Sequence, residues 1–103
     1  MNRIERIAKM EKALDASRTA ISAMQTALEE YEAVQDDWKK LSDYYGSAQW
    51  MRDFEADEAG KLPKDLKRGV LSEDAVYDLL IENRELVFRM ARLVAGAIEK
   101  NTI

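Results

Sequence analysis

Residues that break helices are concentrated in the middle of this 103-residue chain. The block from Asp43 to Leu86 holds three of the four glycines and the only proline. Residues 3–45 contain neither glycine nor proline, and Gly96 alone interrupts the stretch after the block. Because glycine and proline are the strongest local breakers of helices, this distribution predicts two long helices joined by a turning connector.

Large apolar residues in the first stretch recur at steps of three, four and seven, which places them on one face of a helix. We predict one long helix over residues 1–46, with a coiled-coil-like apolar face and an end at Gly46. A second row contains only alanine. It favours a close contact with the last helix or with another copy of the chain, although alanine is also simply the best helix former. The large residues are Ile7, Met10, Leu14, Ile21, Met24, Leu28, Tyr31, Trp38, Leu41 and Tyr45, and the alanines are Ala13, Ala16, Ala20, Ala23 and Ala27.

Residues 47–71 are predicted to form a connector of short helices. Ser47 is a good N-cap for the first of them and Gly60 a good end, with Trp50 and Phe54 on its apolar face. A further helical turn is expected from Pro63 to Gly69, because proline suits the first position of a helix and glycine the residue after its end. Its inward residues would be Leu66 and Val70, and its C-terminal charges Lys67 and Arg68.

The last helix is predicted over residues 72–100, capped by Ser72. Leu71 precedes this cap and Val76 follows four positions later, which is the spacing of a hydrophobic staple. Leu79, Leu80, Leu86, Val87, Met90, Leu93, Val94, Ala97 and Ile98 are expected to be buried with Val76. The result is an all-α single domain, 1–103, in which the long N-terminal helix packs antiparallel on the long C-terminal helix.

Composition excludes several classes of function. Without cysteine or histidine the chain lacks a thiol nucleophile, a thiolate metal site and the commonest general base. A net charge of −4 argues against nucleic-acid binding, which requires a basic face. No run approaches the roughly 20 apolar residues that span a bilayer, and the charged N-terminus does not read as a signal peptide. We therefore expect a cytoplasmic protein without a cofactor or membrane contact.

The run YYGSAQWMRDFEADEAGKLPKDLKRGVLSEDAVYDLLIENREL, from Tyr44 to Leu86, resembles the signature block of a bacterial family known as domain of unknown function 4298. The flanking stretches match that family in length and helical character. The resemblance implies a small bacterial helical domain and supplies no catalytic residues.

Acidic residues crowd the second helix, and Asp57 and Glu58 lie near its C-terminal end, where the helix dipole disfavours negative charge. The first interpretation is that the following segment folds back and neutralises these acids with its basic residues Lys61, Lys64, Lys67 and Arg68. The second interpretation is that the acids bind a cation or a basic residue of a partner.

Asn83 lies within the apolar stripe of the last helix, where a buried amide must be hydrogen-bonded and can fix helix register. Alternatively, it belongs to a polar and aromatic groove that binds a ligand or peptide. The candidate binding residues are Tyr45, Trp50, Asp53, Asp57, Lys67, Arg68, Tyr77, Asp78, Glu82 and Asn83.

We expect a non-enzymatic protein-interaction or assembly module, with a protein partner or self-association. The alternative is a small-ligand or Mg²⁺-dependent phosphate-bond hydrolase, because carboxylates three apart on a helix project from one face and suit Mg²⁺. This arrangement loosely resembles the all-α nucleotide pyrophosphohydrolases. Its metal ligands would be Glu55, Glu58, Glu82 and Glu85.

Overall fold

The computed structural model describes residues 1–103 and contains helices and turns without strands. This confirms the predicted all-α class, with a long helix near each end and short helices between them. No helix has both the length and the apolar character required to cross a membrane. The elements in chain order are α1 (Arg3–Ala33), α2 (Gln35–Tyr44), α3 (Ala48–Glu58), a 3₁₀ turn (Gly69–Leu71) and α4 (Ala75–Glu99).

The chain divides into two compact units, Met1–Trp38 and Lys39–Ile103. The first unit contains α1 and the start of α2, and the second contains the rest of α2 with α3, the 3₁₀ turn and α4. A single domain over residues 1–103 and antiparallel packing of the two long helices stay predictions.

α1 begins in a capping box and ends before the predicted position. The Asn2 side chain accepts a hydrogen bond from the backbone N–H of Glu5 at 2.9 Å, and the Glu5 carboxylate accepts from the Asn2 N–H at 3.4 Å. The long helix predicted over residues 1–46, whose continuity the sequence left open, is interrupted at Val34. There the side-chain amide of Gln35 donates to the Tyr31 carbonyl at 3.0 Å, the acceptor that an uninterrupted helix assigns to the Gln35 backbone.

The boundaries of α3 follow its sequence signals. The Ser47 hydroxyl accepts from the Trp50 backbone N–H at 3.1 Å and caps the helix. Gly46 and Gly60, on either side, have φ of 80° and 69°, a left-handed conformation that glycine adopts without steric cost. The predicted caps of the first connector helix are therefore confirmed.

The further helical turn predicted from Pro63 to Gly69 forms only at its start, and no helix extends to Gly69. Pro63 starts a single turn, closed by a hydrogen bond of 3.2 Å from the Leu66 N–H to the Pro63 carbonyl, and the 3₁₀ turn begins at Gly69. A segment this short gains too few hydrogen bonds to offset the cost of nucleating a helix. Lys67 and Arg68 therefore have no helix end to cap, and Leu66 is exposed rather than inward.

α4 begins at Ala75, two residues after the predicted first helical residue, Glu73. The N-cap is Asp74, which makes no side-chain cap hydrogen bond, so the predicted cap at Ser72 is wrong. The Ser72 hydroxyl instead accepts from the backbone N–H groups of Asp74 at 3.3 Å and Ala75 at 3.4 Å in the turn before the helix. The predicted burial of the α4 stripe is wrong: Val76 alone is buried within α4. Leu80, Met90 and Ala97 are half-buried, whereas Leu79, Leu86, Val87, Leu93, Val94 and Ile98 are exposed.

The hydrophobic core of the second unit is small. Trp50, Leu71 and Val76 are its buried apolar residues, with 6%, 6% and 3% of their surface exposed. They come from α3, the 3₁₀ turn and α4, and the 3₁₀ turn contacts both helices. This core sets the geometry of the connector.

Candidate functional site

Trp50 is the centre of an aromatic cluster with Tyr45 and Phe54. Because residues four apart share one side of a helix, Phe54 lies against Trp50, with ring centroids 5.2 Å apart and planes inclined by 18°. Tyr45 meets the indole edge-on, with centroids 5.3 Å apart and an angle of 72°. Both arrangements are favourable for aromatic pairs.

The polar atoms of this cluster bind the backbone on either side of Leu71. The indole N–H of Trp50 donates to the Val70 carbonyl at 3.0 Å, and the Tyr45 hydroxyl donates to the Glu73 carbonyl at 2.8 Å. The Trp50 indole belongs to a buried residue and needs such a partner, so its bond stabilises the docking of the 3₁₀ turn on α3. The exposed Tyr45 bond joins the residue after α2 to the segment before α4. Tyr45 and Trp50, both candidate binding residues, therefore have structural roles.

Two carboxylates of α3 also have partners within the second unit. Asp53 accepts a hydrogen bond of 2.5 Å from the Tyr44 hydroxyl. This bond, with burial and the negative charge of Asp53 as smaller causes, raises the pKa of Tyr44 to about 12. Asp57 and Arg68 form an ion pair of 2.7 Å, as predicted for the neutralisation of the acidic helix by the following basic segment.

A shallow apolar groove of about 370 Å³ lies beside this core. Lys67 is the charged residue of its lining, so the groove suits an apolar side chain that carries or adjoins a negative charge. Leu41 and Leu79 were not among the predicted site residues, and their membership in two separate apolar stripes was the only available signal in the sequence. The groove is lined by Leu41, Lys67, Gly69, Val70, Ala75, Val76 and Leu79.

The remaining candidate residues lie outside this lining. Tyr77, Asp78 and Glu82 are exposed on α4, and Asn83 is half-buried there. Of the ten candidate binding residues, Lys67 alone lines the groove. The polar and aromatic groove around Asn83 stays a prediction, separate from the apolar groove beside the core.

The four glutamates of the metal alternative are all exposed: Glu55, Glu58, Glu82 and Glu85. No three acidic, histidine or cysteine side chains in the chain are grouped so that they could hold a metal ion. The carboxylate pairs thus lie on helix surfaces without a third ligand beside them.

Exposed apolar side chains are the most extensive surface feature of both units. None of the 31 residues of α1 is buried. Six apolar residues of its predicted face, from Ile7 to Leu28, are between 43% and 60% exposed. On α4, nine apolar residues are between 42% and 62% exposed: Tyr77, Leu79, Ile81, Leu86, Val87, Phe88, Leu93, Val94 and Ile98.

Comparison with known protein families gives a match over most of the chain. A family model described as a domain of unknown function (DUF4298) matches residues 7–93, which include the whole connector and most of α1 and α4. No curated protein and no solved structure matches the chain.

Proposed function

Because the chain belongs to the family described as a domain of unknown function (DUF4298), we propose its function from its own surfaces. We infer that the protein is a non-enzymatic assembly module. Its role is to present α1 to a helical protein partner. The observation that carries this proposal is that α1 buries none of its 31 residues although it has a regular apolar face.

The physical argument starts from the stability of α1. Most of the stability of a protein helix comes from packing an apolar face, and propensity alone makes a marginal contribution. α1 has alanine-rich sequence and a capping box, which favour the helix, yet its large side chains remain in water. A row of exposed large apolar side chains of this kind is typical of a protein-interaction surface. Contact with a partner helix would supply the missing burial.

The second unit supports the same role. The hydrogen bonds of Tyr45 and Trp50, together with the Asp57–Arg68 pair, make the connector a fixed scaffold. On this scaffold, Lys67 and the apolar groove are available to a partner, and so are Tyr77, Asp78 and Glu82 on α4. We propose these residues as secondary contacts. For the Mg²⁺-dependent alternative, no grouping of carboxylates provides support.

Amide hydrogen exchange tests the proposal, because it measures how often each helix opens. The full chain is measured at low micromolar concentration, where light scattering establishes that single chains predominate, and again at several hundred micromolar. We expect α1 amides to exchange nearly as fast as an unstructured peptide in the single chain. Amides of α3 near Trp50 provide the internal reference and should be protected at both concentrations.

Slow exchange of α1 in single chains would contradict the proposal, since the helix would then be stable without a partner. Fast exchange in single chains that slows at least tenfold on assembly supports it. If α1 stays fast at every concentration, the proposal requires a partner other than this chain, and addition of cell extract should then slow α1 exchange without changing α3.

A further inference from the structure

The apolar face of α1 follows a heptad repeat over more than three heptads. With Ile7 at position a, seven of the eight a and d positions up to residue 31 are apolar, and Ser17 is the exception. Such a repeat is the sequence pattern of helices that pair through interdigitating side chains. Position a holds Ile7, Leu14, Ile21 and Leu28, and position d holds Met10, Ser17, Met24 and Tyr31.

Charge is distributed very unevenly along this helix. Residues 3–18 carry five basic and three acidic side chains, which gives a net charge of +2. Residues 19–28 carry none, and residues 29–37 carry five acids without a base, a net charge of −5. All of these charged side chains are exposed. The first unit is therefore basic at one end, neutral in the middle and acidic at the other.

This distribution opposes the dipole of α1 itself. A helix favours acids near its N-terminus and bases near its C-terminus, but the last turn of α1 holds Glu30 and Glu32 without a base. A neighbouring helix that runs in the opposite direction would place its basic end beside these acids. A parallel neighbour of the same sequence would instead place two acidic ends together, which is unfavourable.

We propose that the partner of α1 is α1 of a second copy of this chain, in antiparallel orientation, with the two-fold axis in the neutral segment 19–28. The inference rests on the proposed assembly function and adds the identity and direction of the partner. In an antiparallel homodimer the basic end of each chain lies beside the acidic end of the other, which gives two such contacts. The two heptad faces meet around Ile21 and Met24.

Pulsed electron paramagnetic resonance measures the orientation directly. The chain has no cysteine, so a single introduced cysteine carries the only spin label. Lys12→Cys, Thr19→Cys, Thr26→Cys and Ala33→Cys are seven residues apart on the side of α1 opposite its apolar face, and all four positions are exposed. In an antiparallel pair the axial separation of two equivalent labels changes by about 3 Å for each residue moved along the helix.

We therefore expect the label distance to fall and then rise along the series, with its minimum between residues 19 and 28. A parallel pair would give the same distance at all four positions and would overturn the inference while leaving the assembly function intact. Single chains at several hundred micromolar, by light scattering, would also overturn it. If α1 amides were protected in those single chains, the proposed function would fail as well.

A charge-reversed variant provides an independent test, because it should weaken self-association in an antiparallel dimer and strengthen it in a parallel one. Replacing Glu29, Glu30 and Glu32 by lysine changes the charge of segment 29–37 from −5 to +1. In the antiparallel dimer this segment would then face a basic end, and we expect at least tenfold weaker self-association. Tighter association of the variant, as expected for relief of repulsion in a parallel dimer, would overturn the inference. Far-UV circular dichroism of both proteins checks that α1 remains helical.

Discussion

The hydrogen bond between Tyr44 and Asp53 gives this protein a titrating group whose effect on stability has a defined sign. The pKa of Tyr44 is raised to about 12 because its neutral form donates to the Asp53 carboxylate. The unfolded chain has a tyrosine pKa near 10. A group whose folded pKa is raised stabilises the fold fully below its unfolded pKa, and this contribution is lost as the pH rises through about 10 to 12.

Tyr44→Phe should therefore destabilise the second unit by about 1 kcal/mol at pH 7, the usual net value of such a hydrogen bond. The difference in stability between the natural protein and the variant should shrink as the pH rises from 9 towards 12, measured by urea unfolding. Tyr77→Phe is the matched control, because Tyr77 is 53% exposed on α4. A difference that grows with pH would contradict the assigned hydrogen bond.

At the scale of elements, the sequence was informative where local chemistry decides the structure. Ser47, Gly46 and Gly60 occupy the caps that their residue types predict, because a cap depends on a few neighbouring backbone groups. The interruption at Val34 was not predictable. At the interruption the Gln35 side chain binds the Tyr31 carbonyl, and the apolar periodicity of the sequence is compatible with this bond and with an unbroken helix.

Burial and the site were harder to predict, because both depend on which elements meet. An apolar stripe indicates which side of a helix seeks a neighbour and leaves open whether that neighbour lies in the same chain. The α4 stripe was therefore assigned to a core that it does not enter, apart from Val76. Trp50 and Tyr45 were candidate binding residues, and the sequence did not indicate that their polar atoms bind the backbone at Val70 and Glu73.

Trp50 connects α3 to the 3₁₀ turn, so its substitution tests this contact between elements. Trp50→Phe retains a ring beside Phe54 but removes the indole N–H that binds the Val70 carbonyl. We expect the free energy of unfolding to fall by about 2 kcal/mol. This is within the range for a carbonyl that loses its hydrogen-bond donor together with a smaller buried side chain. Urea unfolding followed by circular dichroism measures the loss. Leu66→Ala, at an exposed position of the same connector, should lower the free energy of unfolding by less than about 0.5 kcal/mol.

At the scale of the whole molecule, the contrast between the two units defines the protein. The second unit has a core of three buried apolar residues, held together by hydrogen bonds at its edge. The first unit has no buried residue in α1 and an uneven charge distribution. Under the proposed assembly function, a chain built in this way would gain much of its remaining apolar burial on association. Its measured stability should therefore depend on protein concentration, as for other proteins whose folding is linked to association.

We predict that the melting temperature of the full chain rises by about 3 °C for each tenfold increase in concentration, given the usual unfolding entropy per residue for a dimer of this size. Ile21→Glu tests whether α1 is responsible, because Ile21 is 60% exposed in the single chain and its replacement should be nearly neutral there. In the assembled protein the same glutamate would be desolvated at the centre of the helix pair. We therefore expect Ile21→Glu to abolish the concentration dependence, whereas Thr19→Glu, which adds the same charge on the opposite side of α1, should preserve it. Equal effects of the two substitutions on the melting temperature would show that the apolar face of α1 is not the surface on which this protein assembles.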